Sequence, residues 1–100
     1  MANSFQELIN GDKPVLVDFY ADWCGPCRYQ SPIIKQVADQ VGDLARVVKV
    51  DVDRNPAAAQ QFGVRGIPAL LIFRKGQVVW RASGVRQADE LVAQLKAAAA

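Results

Sequence analysis

Asp18-Phe19-Tyr20-Ala21-Asp22-Trp23-Cys24-Gly25-Pro26-Cys27 contains both cysteines of the chain. It continues an apolar, strand-forming run, Val15-Leu16-Val17, and ends where a helix is expected to begin. Two cysteines three apart on the first turn of a helix lie on one face, close enough to bridge. The first then sits among free backbone N–H groups, at the positive end of the helix dipole, where a thiolate is favoured. A thiolate, not a thiol, attacks disulfides. The spacing supplies a nucleophile, Cys24, and one turn on a second sulfur, Cys27, to resolve what it attacks.

Two plainer readings of the pair are poor. A zinc site takes about four ligands, and the chain has no histidine and no third cysteine. A purely structural bridge over two intervening residues closes too little chain to stabilise much. Redox chemistry is the better reading.

Length and composition bound the rest. One hundred residues, 51% of them hydrophobic, suit a single small domain with its own core. Two cysteines are too few for a disulfide scaffold. A net charge of +2 with both signs interspersed is an ordinary soluble surface and not a nucleic-acid footprint. No apolar run approaches a membrane span. Met1-Ala2-Asn3-Ser4 lacks the basic start and apolar stretch of a signal peptide, so a cytoplasmic location is expected.

Outward from the cysteines, the elements follow in order. Ser4-Phe5-Gln6-Glu7 is a capping-box pattern, and Phe5, Leu8 and Ile9 form one side of a short helix to Asn10. Val15 to Tyr20 is apolar on both faces except at Asp18, as suits a central strand. A long helix is expected from Cys24 to about Val41, kinked at Pro32 and stopped by Gly42. Arg46 to Val52 reads as a strand with Val48, Val50 and Val52 on one face. Asn55-Pro56 reads as a cap and first turn of a short helix reaching Phe62. Ala69 to Arg74 and Gln77 to Ala82 are strands about a tight Lys75-Gly76 turn. Trp80 alternates with Val78 and is expected to pack under a helix. The final helix runs from Gln87 or Ala88 to Ala98, with Leu91, Val92 and Leu95 inward. This order predicts an α/β fold, a mixed four-stranded sheet flanked by helices on both faces, with Arg46 to Val52 at an edge.

Trp23-Cys24-Gly25-Pro26-Cys27 resembles the active-site motif of the thioredoxin family, and the predicted element order is similar to its fold. Asp18, Pro32, Lys49, Gly66-Ile67-Pro68 and Gly84 match further family positions in the right order. The match runs from Lys13 onward. Gly25-Pro26 resembles the reductants of the family, so the resemblance implies a protein disulfide reductase. Its partners would be disulfide-containing proteins and a thioredoxin reductase. NADPH would serve that reductase and not this chain, and no metal or organic cofactor is implied.

A carboxylate in an apolar strand should have a raised pKa. The alternative for Asp18 is a strand-end residue turned to solvent. By resemblance, it helps deprotonate Cys27. Lys49 reads equally as the neighbour of that aspartate or as a solvated edge lysine. The resemblance implies a cis peptide before Pro68, facing the cysteines. It also implies a partner-binding rim of Trp23, Gly66, Ile67 and Gly84 around Cys24; simple core packing is the alternative for Trp23.

Three departures stand out. The family usually carries an N-terminal strand for which Met1 to Asp12 shows no pattern, leaving the Arg46 to Val52 edge open. Arg46 and Lys49 would discourage edge pairing, and a monomer is expected, with edge-to-edge dimerisation as the alternative. Gln30 and Ser83 stand where apolar residues are usual. The missing strand and Gln30 lend some weight to a second reading, a binding module with incidental cysteines. A third, an oxidase or isomerase, is disfavoured by Gly25-Pro26.

Overall fold

In the computed structural model, which describes residues 4–100, Val15–Tyr20 (β1) lies inside a four-stranded sheet. On one side it pairs in parallel with Arg46–Asp51 (β2), and on the other antiparallel with Ala69–Arg74 (β3). Gln77–Ser83 (β4) closes the far edge, antiparallel to β3. The order β2-β1-β3-β4 gives the mixed sheet expected, with β2 at an edge. Among the described residues no strand pairs with the outer side of β2. Met1-Ala2-Asn3, on which the leader reading rests, lies outside the described residues. No helix of the described residues is long and apolar enough to cross a membrane.

Strand side chains alternate between faces, and both faces of β1 and β3 are covered. Val15, Val17, Phe19, Leu71 and Phe73 pack under Ser4–Ile9 (α1) and Pro56–Gln61 (α3). Phe5, Phe62 and Phe73 meet there with ring centroids 4.8–5.9 Å apart. Leu16, Leu70 and Ile72 face Gly25–Val41 (α2) and Ala88–Ala99 (α4), which contribute Ile34, Val37, Leu91 and Leu95. Each such side chain contributes about 1.5–3 kcal/mol through burial. The same parity places Asp18 on the α2 side of the sheet.

Local chemistry sets the boundaries. Cys24 is the N-cap of α2 and not its first helical residue; Gly25 and Pro26 occupy the first turn, where a missing N–H costs nothing. The helix continues through Pro32 to Val41, and a short 3₁₀ turn, Gly42–Leu44, leads into β2. Gly42 takes φ 52°, a left-handed conformation that favours glycine.

Two expectations need correction. Asn55 precedes α3 without capping it; its Nδ2 donates backwards to the Asp51 carbonyl at 3.0 Å. Trp80 and Val78 do not share a face. The ladder slips between Ile72, opposite Trp80, and Phe73, opposite Val78, leaving Val79 as an extra, exposed residue. This bulge turns Val78 towards the α1–α3 side and Trp80 towards the α2–α4 side. Trp80 does pack under helices, as expected.

Candidate active site

Cys24 and Cys27 form a disulfide with their Cα atoms 5.3 Å apart. The Cys27 backbone N–H donates to Cys24 Sγ at 3.2 Å. This is the bond that a serine or aspartate side chain makes at an N-cap, here accepted by sulfur. When the pair is reduced, the same N–H and the helix dipole favour negative charge on Cys24. Both cysteines are only 4% exposed, packed among Ala21, Tyr20, Val52 and Ile67.

Asp18 is wholly buried, and among the described residues neither carboxylate oxygen has a hydrogen-bond partner. Desolvation pushes its pKa up from 3.8 to about 6, against the opposing pull of the Lys49 ammonium. The solvent-facing alternative for Asp18 does not hold. Lys49 faces Asp18 in the β1–β2 register. Its Nζ donates to Ser31 Oγ at 2.7 Å and lies 4.4 Å from the centroid of the Tyr20 ring, a cation–π contact. It is thus an exposed edge lysine and a neighbour of the aspartate at once. Beside it, an open cleft of about 590 Å³ is bounded in part by Tyr20, Cys27, Arg28, Ser31 and Lys49. The cleft brings solvent to the Cys27 side of the pair.

Trp23 is 69% exposed, so core packing is not its role. Its indole N–H donates to Asp53 Oδ2 at 2.8 Å, and the Asp53 backbone N–H in turn donates to Asp51 Oδ1 at 2.9 Å. The β2–α3 loop therefore steadies the ring beside Cys24. The Ile67–Pro68 bond is cis. Ile67 packs against the cysteines, Gly66 is exposed, and Pro68 accepts a hydrogen bond from the Gly84 N–H at 2.9 Å. Gly84 adopts φ 82°, which a side chain would strain. Cys24, Cys27 and Ile67 thus form one contact cluster, with Pro68 next to it in the chain and Gly84 tied to Pro68 by a hydrogen bond. Asp18 stands apart, beneath the surface on the sheet.

The chain matches the Thioredoxin family model over residues 1–97. It belongs to the thioredoxin family. It is 46% identical over 95 residues to a thioredoxin-like protein of Synechocystis, covering 95% of this chain and 90% of that one. It is also 46% identical over 92 residues to a thioredoxin of Alicyclobacillus acidocaldarius, covering 92% and 88%. The crystal structure of Malassezia sympodialis thioredoxin superposes with a TM-score of 0.87 at 35% identity, covering 96% of this chain and 86% of that one. As a thioredoxin-family protein, the chain is a protein-disulfide oxidoreductase with Cys24–Cys27 as its redox centre. Among the described residues, no group of three or more His, Cys, Asp or Glu could hold a metal ion.

Three polar residues around this thioredoxin-family site carried no decisive local signal. Asp53 and Ser31 find their partners, Trp23 and Lys49, across the fold. Gln30, which the sequence left unexplained, is fully buried, and both ends of its carboxamide bond the Arg86 backbone. It is therefore not a polar residue stranded in the core.

Proposed function

We propose that this protein reduces disulfides in partner proteins. The observation that carries the reading is the cysteine pair at the N-terminus of α2, with Cys24 Sγ accepting the Cys27 N–H. In the reduced form, the Cys24 thiolate attacks one sulfur of a partner disulfide. A Cys24–partner bond forms, the partner's sulfur–sulfur bond breaks, and one partner thiolate leaves. Cys27, its proton passed through water to Asp18, attacks Cys24, breaks the Cys24–partner bond and releases the second partner thiolate. Two electrons have passed to the partner, and the Cys24–Cys27 disulfide remains.

The roles of the surrounding residues belong to the same proposal. Asp18, with a pKa of about 6, is ionised at neutral pH and suited to accept that proton. Lys49 moderates its charge. Gly25 and Pro26 hold the turn between the sulfurs. Trp23, Gly66, Ile67, Pro68 and Gly84 form the rim on which an extended partner segment lies. A thioredoxin reductase, drawing two electrons from NADPH, restores the dithiol. The protein acts as a monomer in the cytoplasm, in keeping with its few cysteines.

The test is NADPH-driven reduction of a disulfide-bonded protein in the presence of a thioredoxin reductase. The unmodified chain is expected to turn over, and Cys24→Ser to lose turnover entirely. A folded, thiol-accessible chain that fails with several reductases would sink the reading.

A further inference from the structure

Gln30 lies one turn beyond Cys27 on α2, and its hydrogen bonds run to the Arg86 backbone and not to the cysteines. Its side chain is fully buried. Its Nε2 donates to the Arg86 carbonyl at 2.9 Å, and its Oε1 accepts the Arg86 N–H at 2.7 Å. A carboxamide thereby satisfies both backbone groups of one residue, as a neighbouring strand would. Arg86 is tethered again by its own side chain, to Glu90 at 3.3 Å and to the Ser83 carbonyl at 3.4 Å. At its other end the segment is tied by the Gly84 N–H to Pro68. Val85, between the two ties, is 38% exposed.

We propose that Gln30 is a positioning residue for substrate recognition: its carboxamide clamps the Gly84–Arg86 loop to the helix that carries the cysteines. It thereby sets affinity for protein disulfides and not the rate of sulfur exchange. This rests on the disulfide-reductase reading and on Gly84 belonging to the rim. The physical reason is the cost of leaving half-buried backbone groups unpaired against a fully buried side chain. Without the carboxamide, the Arg86 N–H and carbonyl must find water, which requires the loop to lift from α2. The rim then loses its shape, while Cys24, the N-cap of α2, keeps its geometry.

Gln30→Met preserves length and burial and removes both bonds. Three readouts separate the possibilities: hydrogen exchange at the Arg86 amide, kcat and KM for a disulfide-bonded protein, and the rate with a small aromatic disulfide that reaches the sulfurs without the loop. Arg86 exchange is expected to accelerate at least about tenfold, and KM for the protein to rise about fivefold. Protein kcat and the small-disulfide rate should stay within about twofold. Unchanged exchange would show that no clamp exists. An unchanged KM, or equal losses with both substrates, would overturn the role in recognition. Gln30→Leu repeats the comparison with a different shape should Gln30→Met fail to fold. If the unmodified chain itself reduces no protein disulfide, the reductase reading fails and the role in recognition with it, while Arg86 exchange still reports the clamp.

Discussion

At the scale of single residues, Asp18 is a buried carboxylate whose charge works against stability. Its pKa of about 6 in the folded chain stands above its ordinary 3.8 because burial penalises the charged form. Between those values the folded state binds the proton more tightly than the unfolded chain does. The contribution of Asp18 to stability therefore falls as pH rises from about 4 to 6 and is level above that. Asp18→Asn removes the charge and keeps the volume. It is expected to stabilise the protein by about 2 kcal/mol at pH 8 and by little at pH 4, where Asp18 is already protonated in the folded state. Thermal melts at the two pH values check this; an equal gain at both would disprove the desolvation account. The same variant should reduce protein disulfides more slowly and lose the rise in turnover through pH 6.

At the scale of elements, α2 and β4 repay attention. The cap of α2 is a cysteine whose sulfur accepts the Cys27 N–H. A serine hydroxyl is a preferred group at that position. Cys24→Ser should therefore lose all activity while its stability stays within about 1 kcal/mol of the reduced unmodified chain, as chemical denaturation would show. A larger loss would mean that the sulfur does more than cap. In β4, the bulge at Val79 turns Trp80 towards the α2–α4 side of the sheet and leaves Val79 outside. Trp80→Ala is expected to cost about 3 kcal/mol and Val79→Thr less than about 0.5 kcal/mol. Comparable costs in denaturant melts would contradict the bulged register.

At the scale of the whole molecule, the outer side of β2 has no strand partner among the described residues. Unpaired strand edges invite association unless charge discourages it. Arg46 and Lys49 are exposed along this strand, and Lys49 is drawn towards Ser31 and Tyr20. Sedimentation velocity is expected to show a monomer up to high concentration. A concentration-dependent dimer abolished by proline at Val48 would instead assign the edge to self-association. Element order was readable at this scale because each element carries its own pattern: the unbroken apolar run of β1, the Asn55-Pro56 start of α3, and the Lys75-Gly76 turn. Face assignment in β4 was not, because alternation assumes an unbroken ladder and the bulge lies in the pairing with β3.

Local patterns in the chain set the α/β order, the central place of Val15–Tyr20, and the cysteine pair at a helix N-terminus. These follow from local periodicity, turn chemistry and a spacing of three residues, which nearby atoms enforce. Tertiary structure alone decided what the polar residues do. Asp53 meets Trp23 across 30 positions, Lys49 meets Ser31 across 18, and Gln30 meets Arg86 across 56. A buried or tethered polar group is defined by its partner, and no pattern within its own element can name a partner that the fold brings from elsewhere.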